Sequence, residues 1–114
     1  MELELFLNWL TDGVDHDKEV VHRATRRLFR VVRGRQLPVQ DRHLLVAVFT
    51  VVCKYVLDDH PSSLECAQLG FISLAELNRL ELHVLSSLEW EVGSFLCESG
   101  EHGASPDLNS LLYL

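Results

Sequence analysis

Residues 42–59, RHLLVAVFTVVCKYVLDD, decide the fold. From Leu44 to Leu57 the stretch is apolar on almost every side, and Lys54 is its only charge. Such a run is either a fully buried helix or a buried strand, and its β-branched residues favour the strand. Length decides for helix, because a run of about 15 residues exceeds the usual strand of about 5–6, and both flanks read as helices. The expectation is a third helix over residues 41–57, capped by Asp41 and lying buried in the middle of the domain. The longest apolar run, Leu44 to Cys53, also falls well short of the roughly 20 residues of a bilayer span, so no membrane span is expected.

Working outward toward the N-terminus, Gly34 stops the preceding helix and Leu37-Pro38 holds the connection extended, because a residue before proline avoids helical angles. That helix is expected over 18–33. Val20, Val21, Ala24, Leu28, Val31 and Val32 recur at spacings of three and four, with arginines on the other faces. Before it, Asp12, Gly13, Asp15 and Asp17 supply turn and capping chemistry after a short apolar helix over 3–11, in which Trp9 is expected to pack inward. Glu2 and Glu4 stand where a secretory leader would be basic, so this end reads as part of the fold.

Toward the C-terminus, Ser62-Ser63-Leu64-Glu65 has the form of a capping box that opens a helix over 62–69, ended by Gly70. Ser73-Leu74-Ala75-Glu76 repeats the device and opens a helix over 73–88. The chain is thus read as one all-α, five-helix domain over residues 1–92, followed by a glycine- and serine-spotted tail over 93–114 that is loosely held. A length of 114 residues with 47% apolar and 24% charged residues supports one folded domain and no more.

The net charge is −7, yet residues 23–42 hold seven of the ten basic residues against Asp41 alone. An acidic overall field disfavours nucleic acid as a partner. Arg23, Arg26, Arg27 and Arg30 form a possible patch for an acidic partner, with a merely solvated helix face as the plainer alternative. Cys53, Cys66 and Cys97 are an odd number without a CxxC pair, which reads as reduced thiols and an intracellular chain, cytoplasmic or nuclear.

Little in the sequence speaks for catalysis. The histidines show no HExxH or metal-ligand spacing with the cysteines, the glycines are isolated, and no phosphate-cradling loop is present. No metal, cofactor, catalytic residue or small-molecule substrate is expected, and the chain is read as a non-enzyme. Asp58-Asp59 are better placed to end a helix than to share a proton, and Ser105-Pro106 is only a minimal proline-directed phosphorylation dipeptide.

One constellation is informative. On a wheel of about 100° per residue, Glu81 falls within about 30° of the centre of the stripe made by Leu77, Leu80, Val84 and Leu88. A carboxylate there must find a base, since an unpaired buried acid costs several kcal/mol or is neutralised. Lys54 is the natural partner. Such a pair would lie where two apolar helices meet and keep capacity for another chain. The plainer alternative is a lysine that snorkels to water and a glutamate at the stripe edge.

At these residues a family resemblance enters. The segment from Asp41 to Val92 resembles the core of a cyclin box. RHLLVAVFTVVCKYVLDD is similar to the cyclin helix that ends in a Lys-aromatic pair followed by acids. GFISLAELNRLELHVLSSLEWEV, residues 70–92, is similar to the last helix of the box, where a Leu-Glu supplies the matching acid. The flavour is that of the small P/U-type and phosphate-pathway cyclins of plants, fungi and protists. Ala24, Leu28 and Arg30 extend the resemblance upstream, while HPSSLECAQ at 60–68 and the order Arg42-His43 depart from it. The resemblance implies a single cyclin box that does no chemistry and binds a cyclin-dependent protein kinase, favouring its active conformation. Carried over position by position, it makes Lys54, Tyr55, Glu81, Leu85, Trp90 and Val92 the kinase-binding residues. The alternative is a helical adaptor or scaffold that binds another protein through the basic second helix.

Overall fold

A computed structural model describes residues 2–35, 39–88 and 92. Among these residues the chain forms five α-helices and no strand: α1 (Leu3–Asp12), α2 (Lys18–Arg33), α3 (Asp41–Val56), α4 (Ser63–Gly70) and α5 (Leu74–Ser87). The chain is all-α, as its periodicities imply. The tail over 93–114 lies outside the described residues, as do Leu37-Pro38.

Valine lowers helix propensity by at most about 0.7 kcal/mol per residue, whereas burying its side chain contributes about 1.5 kcal/mol or more. Packing therefore overrides the β-branched character of α3. Val46, Ala47, Val48, Phe49, Val52 and Cys53 are fully buried, and α3 touches each of the other four helices. Thr50, also buried, donates its hydroxyl to the Val46 carbonyl at 2.8 Å, the usual way a mid-helix threonine satisfies itself.

α2 buries Val21, Thr25, Leu28, Phe29 and Val32 along one face and leaves Arg23, Arg30 and Arg33 exposed. Its end is tied to the start of α3 by Arg33, whose guanidinium lies 2.9 Å from the Asp41 carboxylate and 5.8 Å from the centre of the Phe29 ring. Asp41 does not fill the expected capping role. Gln40 is the N-cap, without a side-chain bond, and Asp41 is the first helical residue, where a negative charge still favours the helix dipole.

The capping box of α4 is complete: the Ser62 hydroxyl accepts from the Glu65 backbone N–H at 3.1 Å, and the Ser62 N–H donates to the Glu65 carboxylate at 2.8 Å. In α5 only half of the device forms. Ser73 accepts from the Glu76 N–H at 3.1 Å, but the Glu76 side chain takes the Arg79 guanidinium at 2.6 Å. That guanidinium holds the exposed Glu76 carboxyl below its usual range.

The inward packing expected of Trp9 fails for a geometric reason. Trp9 is 45% exposed. The buried face of α1 carries Phe6, Leu7, Leu10 and Thr11, and residue 9 falls on the far side of the wheel from it. Its indole N–H donates to the Leu69 carbonyl at 2.8 Å, and its ring stacks on Phe71 with centroids 6.2 Å apart. Gly70 is the last residue of α4, as expected, without itself adopting the left-handed conformation that often closes a helix. Phe71 takes that role at φ 60°, and Gly70 is instead the point of closest approach to α3, where an added Cβ would stand 2.5 Å from a Val46 methyl.

Candidate functional site

Three helices converge on one carboxylate. Glu81, in the middle of α5, is 8% exposed, and Lys54, in the last turn of α3, reaches it with Nζ 2.9 Å from Oε2. Ser63, the first residue of α4, donates its hydroxyl to the other oxygen, Oε1, at 3.4 Å. Both oxygens of the buried acid are thus engaged. The lysine side chain keeps 35% of its surface, so one of its three donors goes to Glu81 while its head stays in reach of solvent. Of the two arrangements open from spacing alone, the pair is the one that forms.

The two members differ in what they lose when separated. Lys54→Ala leaves a nearly buried carboxylate with only the Ser63 hydroxyl and is expected to destabilise by about 1–2 kcal/mol. Glu81→Gln lets the half-exposed ammonium turn to water and is expected to cost less than about 1 kcal/mol. Chemical denaturation of the two variants checks this. Equal costs would mean that the pair shares its burial evenly and that the asymmetry is wrong.

Exposed apolar side chains stand next to both members of the pair in the chain. Tyr55 is 42% exposed and Leu82 57% exposed, and Leu74 adds to the exposed apolar surface of α5. Leu85 is half-buried against the core, and Val92 is fully buried within the core and offers no surface. Trp90 lies outside the described residues. Ser63 and Leu82 are the members that sequence reasoning missed. A serine next to a capping serine carries no separate signal, whereas a leucine off the apolar stripe of α5 was a readable one.

Beneath the pair lie two thiols. Cys53 and Cys66 are buried and free of disulfides. Burial pushes the Cys66 thiol up, the neighbouring Glu81 charge adds to this, and a hydrogen bond with Thr50 opposes it. Burial, reinforced by Cys66, raises Cys53 as well. Protonated and enclosed thiols of this kind act as small apolar side chains. Cys97 lies outside the described residues.

The arginine face of α2 is separate. Arg26 binds the Glu4 carboxylate of α1, and His22 lies 3.6 Å from the same carboxylate. Arg23, Arg27 and Arg30 line an open cleft with Arg26 and Val31. Another cleft, of about 370 Å³, runs beside Trp9, Gln68 and Leu69. Among the described residues no three His, Cys, Asp or Glu side chains are grouped to hold a metal ion, and no helix is long and apolar enough to cross a membrane.

No protein-family model matches the chain, and no curated protein or solved structure does so either. The site is therefore read from its own residues.

Proposed function

We propose that this chain is a non-catalytic docking domain that works through the surface around Lys54 and Glu81. More particularly, we propose a cyclin-type regulatory subunit that binds a cyclin-dependent protein kinase and favours its active conformation. The observation that carries this reading is the Lys54–Glu81 pair, with exposed Tyr55 and Leu82 following its two members in the chain. A buried ion pair gains little stability over well-packed apolar residues of the same size, because desolvation offsets attraction. Keeping one at the junction of three helices, with the lysine still partly exposed and the next residue, Tyr55, exposed as well, fits a surface used to recognise a partner. In such a complex Lys54 supplies charge-assisted donors to partner acceptors, Glu81 fixes where that ammonium stands, and Tyr55, Leu82 and Leu85 supply apolar contact. The regulator acts by population shift, since it binds the active arrangement of the kinase better than the inactive one.

The test is a pull-down from native extract with the wild-type chain beside the Lys54→Ala/Glu81→Ala variant, with mass spectrometry and a kinase assay on the eluate. A cyclin-dependent kinase held by the wild type and lost from the helical double variant is the expected result. Recovery of other proteins by both forms, with no kinase, overturns it. If those proteins are then lost on charge reversal of Arg26, Arg27 and Arg30, the adaptor reading takes its place.

A further inference from the structure

Seven residues separate Arg23 from Arg30, which is two turns of α2 and about 10 Å along the helix axis. Between them lies a shallow, open hollow bordered by Arg23, Arg26, Arg27, Arg30 and Val31, all on one face of α2. The next cleft, about 160 Å³, shares Arg26 and Arg30, is lined also by Glu4 and Arg33, and has Leu3, Leu7, Phe29 and Leu45 from α1, α2 and α3 as its apolar part. Arg26 and Arg30 therefore form a basic ridge between an arginine-bordered hollow and a partly apolar one. Among the described residues neither Arg23 nor Arg30 is in an ion pair, and the Nε–H of Arg26 has no acceptor although its outer nitrogen binds Glu4.

We propose that this face binds a phosphorylated segment of another protein, with the phosphoryl group in the arginine cleft and a neighbouring apolar side chain in the adjoining one. The composition of the patch favours phosphate. Its four basic residues are all arginine, whose guanidinium offers a forked pair of donors, and a phosphoryl group brings nearly two charges and three acceptor oxygens to them where a carboxylate brings one charge and two oxygens. The span from Arg23 to Arg30 fits about three residues of extended peptide at about 3.3 Å each. A second, partly apolar hollow within that reach selects a phosphorylated residue beside a hydrophobic one.

Net charge selects the kind of polyanion. The chain carries −7 in total, so an extended nucleic acid would meet repulsion from the acidic surfaces around the patch. A single phosphorylated residue feels chiefly the charges within a screening length of about 8 Å, among which the four arginines of the patch stand against the Glu4 carboxylate bound by Arg26. This site shares no residue with the Lys54–Glu81 surface, so its test is independent of the kinase.

Fluorescence polarisation with the full 114-residue chain tests the proposal. The probes are a short labelled peptide bearing one phosphoserine flanked by leucines, its unphosphorylated form, its serine-for-leucine form, and a labelled single-stranded oligonucleotide of equal charge. Wild type is expected to prefer the phosphopeptide over the unphosphorylated peptide by about tenfold or more, and to bind less tightly as salt rises. Arg23→Gln/Arg30→Gln should erase that preference while keeping the helical spectrum. Arg79→Gln, on α5, should leave the preference intact. Loss of the flanking leucines should weaken binding severalfold. Equal binding of the two peptides overturns the proposal, as does a preference that survives in the double variant. Tighter binding of the oligonucleotide overturns it in favour of nucleic acid. Concentration-dependent self-association of the wild type, lost in the double variant, overturns it in favour of a second copy of the chain.

Discussion

Val48→Asp is expected to abolish the folded state. Val48 is fully buried within α3, and the helix packs against all four of its neighbours, so no side-chain rotation brings a carboxylate there to water. An unpaired buried charge costs several kcal/mol at the least, which is comparable to the whole stability of about 5–15 kcal/mol of a domain this size. Circular dichroism should show loss of helix and of any cooperative thermal transition. Val48→Ala, which removes volume without adding charge, is expected to remain folded and to lose about 2 kcal/mol. A soluble, fully helical Val48→Asp chain would refute the burial of α3.

Gly70→Val should have the next largest effect. At Gly70 the first side-chain atom already stands 2.5 Å and 2.7 Å from the two methyls of Val46, and Val46 is fully buried with no room to turn. Valine adds two more carbons to the same contact. The last turn of α4 must then move away from α3, at a cost of about 3 kcal/mol, toward the upper end of what overpacking produces. For a domain of this length that corresponds to a fall in Tm of about 12–20 °C. Gly70→Ala should fall partway, and adding Val46→Ala to it should recover part of the loss, since touching sites do not add independently. A Tm within a few degrees of wild type for Gly70→Val would show that α4 does not rest on α3 through this glycine.

The helical plan was legible because amphipathic periodicity and serine caps are local signals. Ser62 with Glu65 announces α4 without any knowledge of what surrounds it, and the stripe Leu77, Leu80, Val84 places α5. Lys54 and Glu81 were legible as a pair for a different reason: each is the charge that its apolar surroundings make costly, and each is the other's nearest remedy. What stayed hidden is decided between elements. The role of Gly70 depends on Val46, which no spacing within α4 reveals. Asp41 pairs with Arg33 across the connection, a partner that no spacing within α3 reveals. Ser63 joined the site because α4 starts against the middle of α5. Trp9 is different, since the wheel positions of Phe6, Leu7 and Leu10 already turn it outward; expecting a large aromatic to be core outweighed a periodicity that was in plain sight.

The helical state of α3 has a consequence for the life of the chain outside its native state. Residues 44–53 combine Val46, Val48, Val51 and Val52 with Phe49 and carry no charge and no proline. Such a segment prefers an extended conformation wherever it is not packed, and neutral β-branched stretches of this length pair with copies of themselves. The four helices around α3 therefore act as its chaperone within the molecule. Opening of α4 or α5 uncovers a strand-forming sequence to other chains. Variants that loosen those helices, Gly70→Val among them, should accordingly be found in aggregates before they are found as soluble unfolded protein.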